Sequence, residues 1–339
     1  MILYAGNILS KFGFTPTFIE TLTPRLSEYY DVLAVSDKRS QFSRMLDMIF
    51  ALIRNKKNID AVIIDSYSMR AFWYTYIISR LSFFFDIPYI PILRGGGYYD
   101  RLKSSPGYCR FVFTNSHKNI SPSLFLKNIF IKEGFDVDYI PNFIPIINYK
   151  FLQRERLRPR LFWVRSFDRT YNPVLAVLIL KKLKEKFQDA ELCMVGPDKD
   201  GSLQEVTDKA KELQVYDSLK ITGRLSKNDW LKLSENYDIF INTTNYDNHP
   251  VSVIEAMALG LPVISTNVGG IPFLIEDNID GLLVPPGNVD KFTESIEKLM
   301  QDSSLVMELT QNARNKVKDF DWEKLKQKWF DLLDPLIKK

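Results

Sequence analysis

The chain has 339 residues, more than one hydrophobic core usually supports, so two domains are expected. Its 45% hydrophobic and 25% charged residues are those of an ordinary soluble protein, and its two distant cysteines, Cys109 and Cys193, argue against a disulfide framework or a zinc site. The net charge is only +4, and no basic stripe is interleaved with aromatic residues, so no nucleic-acid partner is expected.

The first half of the chain alternates short apolar runs with segments of helical periodicity. The segment RSQFSRMLDMIFALIRNKK at 39–57 predicts an amphipathic helix. Continuous apolar strands between helices indicate a parallel sheet that is covered on both faces. The strands predicted in this half are 1–5, 32–36, 61–65, 89–93 and 111–115.

The stretch 71–93 is the most membrane-like part of the chain. Arg80, Asp86, Pro88 and Pro91 interrupt it, so it lacks the run of about 20 uncharged apolar residues that spans a bilayer. We predict a helix followed by a buried strand. The opening residues MILYAGNIL have no basic segment before the apolar run, so no signal peptide is expected.

Charge is distributed unevenly between the two halves. Residues 1–150 carry 18 Lys and Arg against 12 Asp and Glu, or +6, whereas the remainder carries 27 against 29, or −2. A basic first half suits an anionic acceptor or an anionic membrane surface, and the alternative is solvated surface charge. Without a disulfide signal, both cysteines are expected to be buried hydrophobes in a reducing compartment. The expected location is therefore cytoplasmic, with peripheral attachment to the inner face of the plasma membrane as a candidate.

The second half repeats the alternation of strands and helices. One helix begins with the capping-box pattern SKND at 226–229, in which the hydroxyl and the carboxylate satisfy free amides reciprocally. The proline-containing, charged segment between the halves resists helix formation, so a linker is placed at 141–159. The predicted strands are 161–165, 190–196, 219–223, 238–243, 262–266 and 281–285.

The predicted fold class is α/β, with two doubly wound Rossmann-like domains that face a central cleft. The domain boundaries are 1–150 and 151–318, and a C-terminal helix at 319–339 is expected to pack back toward the first domain. Ligands of such sheets bind outside the carboxyl ends of the strands, so the cleft is the expected site.

Several common motifs are missing. No G-x-x-x-x-G-K-[ST] loop, G-x-S-x-G elbow or H-E-x-x-H pair occurs. The run RGGG at 94–97 follows a strand but does not fit G-x-G-x-x-G. The chain has only two histidines, His117 and His249, which leaves little room for a histidine-centred metal site.

The stretch NYDNHPVSVIEAMALGLPVIST at 245–266 places two carboxylates around a predicted helix that opens at Pro250 and stops at Gly260. Asp247 falls in the loop after a strand, and the helix start offers free amides to a phosphate. Glu255 lies in the second turn, within reach of a ribose. In the alternative interpretation Asp247 caps a turn and Glu255 forms a surface ion pair. A glycosidase is disfavoured because eight helical steps span about 12 Å, beyond the usual carboxyl separation.

The segment DNHPVSVIEAMALGLPVISTNVGGIPFLIEDNIDGLLVPPGN resembles the donor-binding signature of retaining glycosyltransferases of the GT-B fold, glycosyltransferase family 4. The second Glu of that family's E-x7-E pattern is Glu255, and Asp247 replaces the first. Further segments are similar in order: YIPNFIP closes the first domain, LCMVGP and ITGRL resemble base-binding strands, and FDWEKLKQKWFDLL resembles the final helix.

The resemblance implies a role for each matched residue. Glu255 holds the ribose hydroxyls, and Asp247 contacts a hydroxyl of the donor sugar. Arg165, after the strand 161–165, matches the arginine of the family's R-x4-K clamp for the diphosphate, with an interdomain ion pair as the alternative. Thr170 stands at the lysine position, so Arg169 is the candidate substitute. The other donor-binding candidates are His249, Pro250, Val251 and Ser252 at the helix start and Gly223 and Arg224 beside the base.

The first domain supplies weaker candidates. Gly6 and Gly13 follow the first strand, and Gly13 is the better candidate for a close approach to the donor. Gly95 and Gly96 in RGGG, together with His117 after a predicted strand, are candidates for the acceptor site. The alternative is that the glycines serve only turns and that the histidine belongs to a capping loop.

The implied activity is that of a retaining hexosyltransferase (EC 2.4) that uses a nucleotide sugar. The acceptor is expected to be a glycan or a lipid-linked glycan in bacterial surface polysaccharide synthesis. No cofactor and no metal are expected, because guanidinium groups and a helix N-terminus can stabilise the departing diphosphate. The alternatives are a non-catalytic nucleotide-sugar-binding subunit and a glycoside hydrolase or phosphorylase.

Overall fold

The computed structural model describes residues 1–14 and 16–338, which form two compact α/β units. The first unit comprises Met1–Pro141 and the C-terminal residues from Lys326, and the second comprises Asn142–Leu325. Each unit contains one six-stranded parallel sheet. The predicted fold class, two α/β domains with parallel sheets, is confirmed.

The first unit has the strand order β2-β1-β3-β4-β5-β6. Its strands are β1 (Ile2–Ala5), β2 (Val32–Val35), β3 (Ala61–Tyr67), β4 (Tyr89–Arg94), β5 (Asn119–Ser121) and β6 (Val137–Tyr139). Its helices are α1 (Phe18–Leu26), α2 (Gln41–Asn55), α3 (Phe72–Phe84), α4 (Tyr98–Ser104), α5 (Pro106–Thr114) and α6 (Leu124–Lys132). Strands β1, β3 and β4 are buried over nearly their whole length, which is why their sequences are continuous apolar runs.

One predicted strand of this unit is wrong. Residues 111–115 belong mostly to α5, which has a proline in its first turn, and the next strand is β5. The buried side chains of α5 are Cys109, Val112 and Phe113, which follow helical spacing. A short apolar run does not distinguish a buried strand from the buried face of a helix, and here the helix is the outcome.

The predicted helix and strand in 71–93 are confirmed as α3 and β4. Across residues 1–14 and 16–338, none of the helices combines the length and the apolar character that crossing a membrane requires. Cys109 and Cys193 are both buried free thiols, as predicted. Burial raises the pKa of the Cys109 thiol to about 11.

The second unit has the strand order β12-β11-β10-β7-β8-β9. Its strands are β7 (Arg160–Val164), β8 (Glu191–Val195), β9 (Leu219–Gly223), β10 (Ile239–Asn242), β11 (Val263–Thr266) and β12 (Leu282–Val284). Its helices are α7 (Pro173–Lys184), α8 (Ser202–Glu212), α9 (Lys227–Ser234), α10 (Val251–Ala258), α11 (Val289–Gln301) and α12 (Ser303–Val317), and α13 (Trp322–Leu333) continues into the first unit.

The order of the second sheet reverses at its first strand. From β7 the chain moves outward through β8 and β9, and then returns to the other side of β7 with β10. The loops after β7 and β10 therefore diverge to opposite faces of the sheet. Such a reversal leaves a crevice at the carboxyl ends of the two strands, where open α/β sheets bind ligands.

The segment predicted as a linker, 141–159, packs into the second unit. Arg154 is 8% exposed, and its guanidinium donates hydrogen bonds to five backbone carbonyls, among them those of Tyr237 and Gly260. Gly260 ends α10 with a left-handed φ of 75°, as predicted for the helix stop. The carbonyl groups of Leu259 and Gly260, which directly follow α10, are thus satisfied by this segment of the chain.

The start of α9 is capped partly as predicted. The hydroxyl of Ser226 accepts a hydrogen bond from the backbone N–H of Asp229 at 3.2 Å. The carboxylate of Asp229 accepts from the Ser226 hydroxyl at 2.6 Å rather than from a backbone amide. Only one half of the reciprocal capping box is therefore formed.

Candidate active site

The two strand ends at the reversal of the second sheet are joined by a buried ion pair. Arg165 follows β7, Asp247 lies in the loop after β10, and the Arg165 guanidinium pairs with Oδ2 of Asp247. The two side chains are only 15% and 13% exposed. Oδ1 of Asp247 accepts a hydrogen bond from the backbone N–H of Asn248 at 2.8 Å. Because such a pair costs desolvation energy, its presence at a ligand-binding edge marks a candidate functional site.

Arg165 retains capacity for a ligand. Its guanidinium lies 4.4 Å from the ring centre of Tyr171, and its Nε, although buried, has no hydrogen-bond partner among the residues that the structure describes. Burial lowers the pKa of Arg165, and the phenol of Tyr171 and the carboxylate of Glu255 act in the opposite direction. Since arginine still stays protonated, a fixed positive charge is buried at this edge.

A glycine positions the backbone of Arg165. The backbone N–H of Arg165 donates to the carbonyl of Val195 at 3.0 Å, which brings the chain against Gly196. A Cβ on Gly196 would lie 1.7 Å from the carbonyl oxygen of Arg165, and the φ of Gly196 is +155°. Only glycine allows this approach of the two strand ends.

The loop that carries Asp247 rests on two further glycines from the sequence NVGG. The N–H of Gly270 donates to the carbonyl of Asp247 at 2.8 Å. A Cβ on Gly269 would lie 2.3 Å from the same carbonyl oxygen, and a Cβ on Gly270 would lie 1.8 Å from that of Asn248. The glycines of NVGG, which follow the helix in the sequence, thus have a packing role: they hold the loop that carries Asp247.

Replacing Gly270 with alanine is expected to lower the melting temperature by about 5 to 10 °C, because the added methyl group collides with backbone that cannot move without displacing Asp247. Thermal unfolding followed by circular dichroism measures the effect. Gly107→Ala is the matched control, since Gly107 has ordinary helical φ and open space at its Cβ position. A Gly270→Ala protein with the same melting temperature as the wild type would contradict the close packing at this position.

The N-terminus of α10 presents unpaired polar groups. The helix begins at Val251 with Pro250 as its N-cap, one residue later than predicted. The amides of Val253 and Ile254 donate to the carbonyl of Pro250, whereas those of Val251 and Ser252 have no partner in the described part of the chain. Oγ of Ser252 is buried and also lacks a hydrogen-bond partner there. Free amides, a free hydroxyl and the helix dipole are the features with which helix N-termini bind anions, so this end of α10 is a candidate anion site.

Glu255 lies one turn further along α10 and is only 4% exposed. Its Oε1 accepts a hydrogen bond from the Tyr149 hydroxyl at 2.7 Å and pairs with the ammonium group of Lys227. No described residue donates to Oε2. The alternative prediction, a surface ion pair of Glu255, is therefore correct about the ion pair and wrong about its location, because the carboxylate is buried.

Sequence reasoning missed both partners of Glu255. Tyr149 lies in the segment interpreted as a linker, 106 residues from Glu255, and Lys227 opens α9, 28 residues away. The sequence contains a faint signal for Lys227, which stands at the first position of the capped helix α9, after β9. Burial and the Glu255 carboxylate raise the pKa of the Tyr149 phenol, so Tyr149 remains a hydrogen-bond donor.

His249 is 7% exposed and packs inside the second unit. Its ring lies edge-on to that of Phe320, with centroids 5.5 Å apart. The side-chain amide of Asn142 donates to the carbonyl of His249 at 3.0 Å. Asn142 is the asparagine of the quoted YIPNFIP segment, and its effect is to fix the backbone immediately before α10.

The remaining donor-side candidates are less closely connected. Arg169 is exposed, and its guanidinium pairs with Glu205. Gly223 ends β9, and its carbonyl accepts from the N–H of Gly196 at 2.9 Å, whereas Arg224 after it is exposed. The structure therefore links Gly223 to the Arg165 strand end and directs Arg169 toward α8.

The acceptor candidates of the first unit do not come together. Gly95 and Gly96 follow β4 at the carboxyl edge of the sheet, with Gly95 at a left-handed φ of 113°. His117 precedes β5, and its N–H donates to the carbonyl of Tyr89, the first residue of β4, which places it at the amino edge. Its assignment rested on the wrong strand at 111–115. Gly13, which was predicted to bind the donor, closes a short 3-10 turn in the left-handed conformation and is exposed.

Residues 150–316 match the family described as Glycosyl transferases group 1. These residues are a group 1 glycosyltransferase domain. The segment contains the Arg165–Asp247 pair, Glu255 and the N-terminus of α10. Within the described ranges, no cluster of three or more His, Cys, Asp or Glu side chains is arranged to hold a metal ion.

Sequence relatives match part of the chain, and solved structures match the fold of nearly the whole chain. An N-acetylgalactosaminyltransferase from Campylobacter jejuni that acts on N,N'-diacetylbacillosaminyl-diphospho-undecaprenol is 30% identical over 113 residues, or 33% of this chain and 30% of that protein. The sucrose-phosphate synthase from Thermosynechococcus elongatus superposes with a TM-score of 0.81 at 15% identity, over 99% of this chain and 98% of its own.

Anabaena Alr3699/HepE in complex with UDP-glucose superposes with a TM-score of 0.76 at 15% identity, over 98% of this chain and 99% of its own. The fold is therefore that of GT-B glycosyltransferases. The chain spans less than half the length of the curated relatives that it matches.

Proposed function

We propose that the chain is a retaining glycosyltransferase that moves a sugar from a nucleoside-diphosphate sugar to a hydroxyl of a glycan or a lipid-linked glycan. The observation that carries the proposal is the buried, unpartnered hydroxyl of Ser252 at the N-terminus of α10. It stands in the same group 1 domain as the buried Arg165 and Glu255. The lipid-linked substrate named for the Campylobacter relative and the UDP-glucose bound by the Anabaena neighbour support this substrate class.

In the proposed mechanism, positive groups of the second unit stabilise the departing nucleoside diphosphate. The amides of Val251 and Ser252 and the guanidinium of Arg165 donate to its oxygens, so that no metal ion is required. Asp247 pairs with the guanidinium of Arg165 and fixes its orientation. Oε2 of Glu255 accepts from the ribose hydroxyls, while Tyr149 and Lys227 hold Oε1.

The proposed transfer retains the anomeric configuration. The acceptor hydroxyl attacks from the side on which the phosphate departs, the bond from the sugar to phosphate breaks, and a leaving phosphate oxygen takes the hydroxyl proton. A glycoside hydrolase is disfavoured because Asp247 and Glu255 are each paired with a cation. A hydrolase instead needs one carboxyl group that is free to donate a proton to the leaving group.

The place of action is also a proposal. We infer a cytoplasmic enzyme of bacterial surface polysaccharide synthesis that attaches to the inner face of the plasma membrane, because the first 150 residues carry a charge of +6. A non-catalytic nucleotide-sugar-binding subunit would use the same donor site without transfer. Release of nucleoside diphosphate that depends on an acceptor separates the two.

The direct test is a screen of nucleoside-diphosphate sugars by thermal shift, with and without EDTA. A bound donor raises the melting temperature by mass action, and the shift should survive EDTA. No shift with any UDP-, GDP- or other nucleotide sugar would contradict the proposal. A shift that EDTA removes would overturn the metal-free mechanism.

Ser252→Ala is expected to weaken nucleoside-diphosphate binding about tenfold while leaving the melting temperature of the free protein unchanged or slightly higher, because the hydroxyl has no partner to lose in the folded chain. Isothermal titration with UDP measures the affinity. Ser202→Ala is the matched control, since Ser202 opens α8 but its hydroxyl already bonds Asp200. It should lower stability and not affinity. Equal UDP affinity in wild type and Ser252→Ala would show that the Ser252 hydroxyl does not bind the nucleotide.

A further inference from the structure

Helix α2 of the first unit exposes bulky apolar side chains along one face. Phe42 and Phe50 are each 66% exposed, Ile53 is 41% exposed and Leu46 is 36% exposed. Their spacing of four, four and three residues places them on one side of the helix, whereas Met48 and Leu52 are buried on the other side. A contiguous apolar stripe of this kind on a solvent face marks an interaction surface.

Basic residues lie at both ends of this stripe. Lys38 and Arg39 precede α2, Arg54 lies in its last turn, and Lys56 and Lys57 follow it, all of them exposed. The only acidic side chain between residues 38 and 57 is that of Asp47. We call the four apolar side chains and these five basic ones the α2 surface.

Aromatic side chains extend the α2 surface at both ends. The Arg39 guanidinium lies 5.9 Å from the ring of Phe12, which is 38% exposed, and the next phenylalanine, Phe14, is 54% exposed. At the other end, the Lys56 ammonium group lies 4.5 Å from the ring of Phe85. Aromatic rings beside cationic side chains are typical of surfaces that meet the headgroup region of a bilayer.

We propose that the α2 surface docks on an anionic lipid bilayer. The apolar stripe enters the boundary between headgroups and acyl chains, and the five basic side chains pair with lipid phosphates. The inference rests on the proposed function and deepens it, because it names the part of the first unit through which a lipid-linked acceptor is approached.

The charges favour lipid over a second copy of the chain. In a symmetric dimer the same patch faces itself, so two sets of five cations would be brought together. Interfaces between protein copies are depleted in charge at their centre, whereas here five cations face only two nearby carboxylates, those of Asp37, which pairs with Lys38, and Asp47. An anionic bilayer instead complements both parts of the α2 surface.

Vesicle sedimentation with the full chain tests the proposal. The wild type should bind vesicles of equal parts phosphatidylcholine and phosphatidylglycerol, and binding should weaken with added salt and be much lower on phosphatidylcholine alone. Phe42→Gln/Phe50→Gln should lower the partition coefficient about tenfold or more, since both side chains then lose their burial in the interface. Arg54→Gln/Lys56→Gln/Lys57→Gln should lower it and reduce the salt dependence.

The control variant is Ile131→Gln/Ile147→Gln, which removes exposed apolar side chains outside the α2 surface and should bind vesicles like the wild type. UDP titration of every variant separates this inference from the donor site: vesicle binding lost with UDP affinity retained supports the α2 surface. Wild-type vesicle binding by Phe42→Gln/Phe50→Gln would overturn it. So would a dimer in analytical ultracentrifugation that the same variant dissociates, because the stripe would then meet a second copy.

Discussion

Replacing Arg165 with methionine is expected to lower the rate of sugar transfer by about a hundredfold to a thousandfold, because the charge that develops on the leaving diphosphate then loses its buried guanidinium. The change also leaves the carboxylate of Asp247 buried without its cation, which should cost about 3 to 5 kcal/mol of stability. The rate is measured as acceptor-dependent release of nucleoside diphosphate from the sugar donor that gives the largest thermal shift.

Loss of folding and loss of chemistry are separated by a second variant. Arg165→Met/Asp247→Asn removes both charges, and the asparagine oxygen still accepts from the amide of Asn248, as Oδ1 of Asp247 does. This protein should recover most of the lost stability but none of the transfer rate. Recovery of transfer together with stability would mean that Arg165 acts only through folding.

The strands of both sheets were predictable because a parallel sheet buried on both faces needs continuous apolar runs, and such runs are visible in the sequence. Ten of the eleven predicted strands became β1 to β4 and β7 to β12. The eleventh, at 111–115, failed because α5 buries its apolar residues at helical spacing within a stretch shorter than three turns. The short β5 and β6, three residues each, contain too few residues to show a period.

The part of the candidate site that lies within one short segment of the chain was predictable from the sequence. Asp247, Ser252 and Glu255 lie within nine residues, and their positions follow from the strand, loop and helix of that segment. The pairings were not predictable, because Arg165, although named through the resemblance, lies 82 residues from Asp247, and Tyr149 lies 106 residues from Glu255. Such contacts depend on the order of strands in the sheet, which no local pattern encodes.

The ion pair with Arg165 changes the interpretation of Asp247. The resemblance implied that Asp247 contacts a hydroxyl of the donor sugar, and in the structure its carboxylate pairs with Arg165. A carboxylate at this position has two oxygens, of which one binds the guanidinium and the other accepts from Asn248. Contact with a sugar hydroxyl would therefore share an oxygen with Arg165, so in the proposed mechanism the sugar and the diphosphate are bound by one connected ion pair.

Glu255→Gln is expected to weaken UDP binding about tenfold to a hundredfold, which corresponds to the 1.5 to 3 kcal/mol of a hydrogen bond to a charged group. The glutamine oxygen still accepts from Tyr149, so the backbone of α10 should keep its place. The lost interaction is that of Oε2 with the ribose hydroxyls. Isothermal titration measures the affinity, and circular dichroism confirms that the variant is folded.

A UDP analogue with 2′,3′-dideoxyribose isolates that interaction. In the wild type the analogue should bind more weakly than UDP, by about the same factor by which Glu255→Gln weakens UDP binding. The Glu255→Gln variant should bind UDP and the analogue almost equally, because the hydrogen bond to the ribose hydroxyls is already lost in that variant. Glu297→Gln, which alters a paired glutamate on α11, should leave both affinities unchanged. If Glu255→Gln weakened the analogue as strongly as UDP, the carboxylate would act on the charge of the site, through Lys227 and Arg165, rather than on the ribose.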